Sequence, residues 1–121
     1  MAIRLQFITY KGKKILVEDF TNLKPGAEFM DLIHQAQALI AAQPSKSVLA
    51  VFDATGSSFN NENLNAMKEF TKANTPYIKA ASVVGITGLL QVALTAVAKF
   101  AGRDFISFKT RNEAMDWLVT R

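Results

Sequence analysis

The chain has 121 residues, is 50% hydrophobic and 20% charged, and carries a net charge of +4. That length and composition predict a single α/β domain over residues 1–121 that buries a core without staples. The lack of cysteine excludes disulfide and thiolate chemistry and agrees with a reducing, cytoplasmic setting. The scattered Lys and Arg exclude the concentrated footprint of a nucleic-acid binder.

At the N-terminus, Ile3, Leu5 and Phe7 alternate with Arg4 and Gln6, as in a half-buried strand. The turn "YKGKK" and the apolar "ILVEDF" follow, which together read as a β-hairpin. Lys11, Lys13 and Lys14 are solvated lysines of its tip. The period then changes. Phe29, Leu32, Ile33, Ala36, Leu39 and Ile40 recur at three and four, which predicts a helix with Pro25 in its first turn and Pro44 past its stop. "SVLAVFD" is an unbroken apolar run ending in Asp53, the pattern of a strand covered on both faces. Leu64, Met67 and Phe70 mark a shorter helix, and "TPYIKAASVVGIT" a further buried strand. Thr87 is placed to cap a helix with Leu90, Ala93, Leu94 and Val97 on its inner face and Gly102 as its left-handed stop. "FISF" is a short strand. "TRNEAMDWL" is a last helix with Thr110 and Glu113 spaced as a capping box, docked by Met115, Leu118 and Trp117.

The resulting order is β-β-α-β-α-β-α-β-α. It predicts a mostly parallel five-stranded sheet with an antiparallel first strand and four helices. The N-terminal sequence lacks the apolar segment and cleavage site of a signal peptide. Ala80 to Ala98 is uncharged over a length close to a membrane span, but "GITG" and its hydroxyl residues divide it into a strand and a buried helix, so no transmembrane segment is expected.

Chemistry-bearing groupings are thin. His34 has Gln37 and Ala38 at the positions where a metal site needs ligands, and reads as an exposed polar residue. Glu18 and Asp19 point to opposite sides of a strand. "GITG" lacks the spacing of a dinucleotide loop and the lysine of a P-loop, so Gly85 and Gly88 read as a tight turn, and no cofactor is expected. That leaves "VFDATGSSFNNENL", at the carboxyl end of a central strand, where open α/β sheets keep their functional loops. Asp53, Thr55, Ser57, Ser58, Asn60, Asn61 and Glu62 are its candidate interaction or phosphorylation residues. Asn60 and Asn61 can cap the next helix, and a phosphate on Ser57 or Ser58 would meet that helix's amides. Turn and cap formation alone also accounts for each residue type.

The element order and this loop together resemble the STAS superfamily, the fold of bacterial anti-anti-sigma factors, in the branch of small single-domain proteins also grouped with CRAL-TRIO-like lipid-binding domains. The resemblance runs through the hairpin, "FMDLIHQAQALI", "VLAVFDATG", "VVGITGLLQVALTAVAKFAG" and "FKTRNEAMDWL". In the regulatory branch a strand ending in Asp and a small hydroxyl residue precedes a loop whose serine is phosphorylated by an anti-sigma kinase. Asp53 and Thr55 match that strand end. The serine run is replaced here by Asn60-Asn61-Glu62-Asn63, so the family's phosphoacceptor is not carried over.

The resemblance implies a noncatalytic module whose protein partner docks on Asp53 to Leu64 and the following helix. The alternative is binding of a lipid or other hydrophobic small molecule, suggested by "GLLQVALTAVAKFAG" and nine phenylalanines. Against it, a chain this small is expected to fill its core rather than keep a cavity. An enzyme is not expected, and a homo-oligomer is compatible with an exposed helix face or the open edge of the first strand.

Overall fold

The computed structural model describes residues 3–121. β1 (Leu5–Tyr10) turns through Lys11 and Gly12 into β2 (Lys13–Asp19). Both turn residues have positive φ, 49° and 83°, the geometry whose twist suits a two-residue hairpin. That turn sets the antiparallel register, with Tyr10 opposite Lys13 and Leu5 opposite Glu18.

α1 (Ala27–Ala41) buries Phe29, Leu32, Ile33, Ala36 and Ile40, the predicted face. Pro25 stands before the helix rather than in its first turn, because the cap is Gly26. β3 (Val48–Asp53) follows, and α2 (Asn61–Asn74) opens on Asn60. A short 3₁₀ turn (Thr75–Tyr77) holds Pro76 ahead of β4 (Ile78–Val84). α3 (Leu89–Ala101), β5 (Ile106–Phe108) and α4 (Arg111–Leu118) complete the order, which is the predicted one.

The sheet runs β1-β2-β3-β4-β5, with β1 antiparallel to β2 and every other pair parallel. On one face, Leu16, Ala50 and Ile78 join α1 and α2 in a core cluster centred on Phe20, which stacks on Phe52 at 4.4 Å. On the other, Ile15, Val17, Leu49 and Val51 pack against Ala114, Met115 and Leu118 of α4. Coverage on both faces is why β2 and β3 read as continuous apolar runs.

Two expectations about the region after β4 need correction. Thr87 does not cap α3; the cap is Gly88, without a side-chain bond, and Thr87 contributes only its carbonyl to the amide of Leu90. Nor is α3 buried. Of its residues only Val97 is fully enclosed, while Leu89 and Val92 are 76% and 65% exposed. The predicted inner face is right, but it rests over a cavity instead of a filled core. Gly102, at φ 67° and ψ 34°, is the left-handed stop that the sequence predicts.

Candidate functional site

The carboxyl ends of β2 and β3 carry the same short motif. In Asp19-Phe20-Thr21 and in Asp53-Ala54-Thr55, the aspartate Oδ1 accepts bonds from the threonine amide and hydroxyl two residues on. The distances are 3.0 and 2.6 Å in the first, 3.0 and 2.7 Å in the second. Arg111, the first residue of α4, joins the two motifs. Its Nε donates to Asp53 Oδ2 at 2.7 Å and its Nη2 lies 3.3 Å from Asp19 Oδ1. Arg4 approaches Asp19 from β1's side at 3.6 Å and donates to the Asp19 and Thr21 carbonyls.

Burial pushes the Asp19 carboxyl up, but the Thr21 donors and the Arg111 guanidinium outweigh it and hold it below its ordinary value. For Arg111, partial burial favours loss of the proton, and the two aspartates reverse that and raise its pKa. Asp53, with bonds from Thr55 and Arg111 already made, acts as a clip between sheet and helix.

The loop that follows is tied down as well. Ser57 and Ser58 donate their amides to the Ala54 and Leu23 carbonyls. Asn60 caps α2 by accepting from the Asn63 amide, and the buried Asn63 side chain accepts from the Asn60 amide in return, a reciprocal capping box. Asn61 is therefore inside the first turn and not the cap. Gly85 is held by the same loop: a Cβ there would lie 2.6 Å from the Thr55 backbone. The first glycine of "GITG" thus serves a close approach between two loops. Of the predicted site residues, the structure brings Asp53 and Thr55 together, leaves Ser57 half-buried, and exposes Ser58, Asn60, Asn61 and Glu62.

Ser57 and Ser58 also stand at the rim of a cavity of about 110 Å³ between the sheet and the helices α2 and α3. Its floor includes the small residues Ala50 and Ala81, and Ala93 belongs to its α3 wall, which is why adjacent large side chains do not close it. Phe52, Met67, Phe70 and Leu94 make most of the rest of the lining apolar. Among the cavity-lining residues only two are ionisable, Glu18 and Arg103.

Glu18 shares the cavity face of β2 with Leu16 and Phe20, is 5% exposed, and has no hydrogen-bond partner for its Oε1. Burial pushes its carboxyl up to about 8, against the opposing pull of Arg103. Arg103 follows Gly102 at the end of α3, donates to the Thr71 carbonyl at 3.2 Å, and lies 4.9 Å from the Phe105 ring. A second, more open depression lined by α3 and the Gly102–Phe105 segment shares Leu94, Arg103 and Phe105 with the cavity.

No protein-family model matches the chain, and no curated protein matches it. A solved structure does: an uncharacterized protein of the DUF3478 family with a SpoIIAA-like fold, from Shewanella loihica PV-4. The TM-score is 0.71 at 15% sequence identity, over 94% of this chain and 91% of that one. The fold is SpoIIAA-like, the anti-anti-sigma-factor architecture. At that identity the likeness concerns the fold alone.

Sequence reasoning missed Glu18, Arg103, Arg111 and Asn63. Glu18 left a signal: the two-residue period of a strand puts it on one face with Leu16 and Phe20, a carboxyl within an apolar stripe. Asn63 falls at the third helical position, where Glu or Gln completes the usual capping box. Arg103 and Arg111 have no local pattern, since their partners are brought to them only by the tertiary fold.

Proposed function

We propose that this chain is a noncatalytic binding domain that holds a hydrophobic small molecule in the cavity beneath α3. The cavity itself carries this reading. Its volume is about 110 Å³, and its walls are mainly apolar. Empty apolar space forfeits contacts on every side, and an apolar molecule that fills it restores them. The exposed outer face of α3 shows that this helix is a thin cover over the space. Among the described residues no helix is long and apolar enough to cross a membrane.

Benzene, a neutral apolar molecule of a size the cavity can hold, tests the idea. It is expected to bind saturably in calorimetric titration, and Ala93→Phe, which fills the space from the α3 wall, is expected to abolish that binding while leaving the melting temperature close to that of the parent. Equal binding by the filled variant would move the ligand elsewhere.

A second reading has a protein partner docking on Asp53 to Leu64 and α2. It is supported by the exposure of Ser58, Asn60, Asn61 and Glu62 on a backbone anchored to the sheet. Alanine at Ser57, Ser58 and Asn61 is expected to weaken capture of such a partner, and unchanged capture removes the loop from that account.

A further inference from the structure

We infer that the cavity is built for an apolar chain ending in a carboxylate, whose head is received between the Glu18 carboxyl and the Arg103 guanidinium. This rests on the cavity reading above and names the chemistry of its ligand. The observation is the unpartnered Glu18 Oε1, enclosed on the apolar floor of the cavity. A polar atom left in that state costs on the order of 1–3 kcal/mol, so a fold that only needed a core would place an apolar residue there. Arg103 could satisfy it but closes no ion pair with it; the guanidinium is occupied by the Thr71 carbonyl and the Phe105 ring.

The charges decide which head fits. Glu18 faces Phe52 in the register of β2 and β3, and Leu5 on its β1 side. α1 contributes Phe29 to the cavity, and α2 contributes the uncharged Asn63, Thr71 and Asn74. The adjacent Asp19 points to the opposite face, toward Arg111 and Arg4. Lys72 of α2 and Lys99 of α3 are exposed outside the cavity. Arg103 is therefore the one charged partner facing Glu18, and a protonated Glu18 beside it leaves a positive site in apolar surroundings. A carboxylate offers acceptors to both the Glu18 hydroxyl and the Arg103 N–H groups, and charge-assisted bonds of this kind are the strong ones. An ammonium head meets repulsion from Arg103. An ester leaves the guanidinium without a counter-charge. The alkyl chain then lies along the apolar walls.

The pH dependence has a defined sign. Glu18 must keep its proton to donate, so affinity for the carboxylate falls as pH rises through about 8. At the acid end affinity falls where the ligand's own carboxyl takes up a proton, roughly below pH 5.

Calorimetric titration with octanoate, octylamine and methyl octanoate between about pH 6 and 9.5 tests this, spanning the Glu18 transition. Octanoate is expected to bind about tenfold or more tightly than either analogue at the acid end and to lose that advantage at the alkaline end. Arg103→Met should remove the preference, and Glu18→Gln should retain a donor while flattening the pH profile. Benzene binding separates the two failures. If benzene binds and octanoate neither displaces it nor is preferred, the carboxylate inference is overturned and the cavity reading stands. If neither binds, both fall. Unaltered preference in Arg103→Met, with its benzene binding intact, also overturns the inference.

Discussion

Glu18 and Asp19 are neighbours on one strand and face opposite worlds. Asp19 has the Thr21 amide and hydroxyl, Arg111 and Arg4 around it, and its carboxyl is held below the ordinary range. Glu18 is more deeply enclosed, has an oxygen with no partner, and is pushed up to about 8. The same chemical group thus serves as a structural tie on one side of the sheet and as an unsatisfied group in a cavity on the other. The strand's alternation, one residue apart, is the whole cause.

The two acids should therefore shift stability in opposite directions with pH, and this is the largest effect expected. A carboxyl raised from 4.5 to about 8 costs nothing below its unfolded value, and the cost grows until the folded group ionises. Ligand-free stability should fall by an amount on the order of 3 kcal/mol between about pH 5 and 8. Asp19 behaves the other way: its lowered carboxyl stabilises above 3.8 and that contribution disappears as pH falls through the folded value. Urea midpoints from about pH 2.5 to about pH 8.5 measure both limbs. Glu18→Gln should flatten the upper limb alone, and a sloping upper limb in that variant would place its origin in another group.

Removing the tie from the Asp19 side comes next. Arg111→Ala leaves Asp53 enclosed and without its cation, which should cost about 2–3 kcal/mol at unchanged denaturant slope. A loss below about 1 kcal/mol would class these contacts with ordinary surface pairs. Gly85→Ala sharpens the link between the loops that flank the cavity. Its φ of 79° and the Thr55 backbone 2.6 Å away oppose any side chain. About 2 kcal/mol should be lost, and the benzene affinity should change with it. The smallest effect is Asn60→Ala, which removes the Oδ1 that accepts from the Asn63 amide and should cost about 1 kcal/mol by thermal melting.

The sequence disclosed the frame through periodicity. Val48 to Asp53 reads as a strand buried on both sides because no polar residue interrupts it, and Gly102 ends α3 where only a left-handed residue fits. Asp53 was visible because it closes that strand. Its role was not, because the partner, Arg111, lies 58 residues along the chain and meets it only after folding. The half-exposed state of α3 was equally hidden: Leu89 and Val92 look like core residues in any local window, and their exposure follows from how few neighbours lie beyond the helix. The cavity had the least local signal, since it arises where Ala50 and Ala81 on two strands lie beneath Ala93 on a helix.

The sheet order has a consequence in time. Every strand pairs with its predecessor in the sequence, so no strand of β1-β2-β3-β4-β5 waits for one made much later. Beyond the hairpin, each parallel pair closes over a single helical crossover and never over a longer stretch of chain. Arg111 comes after all five strands. Until it arrives, the carboxylates of Asp19 and Asp53 lack the cation that joins them. The last helix is thus the clasp of a sheet whose strands lie in chain order.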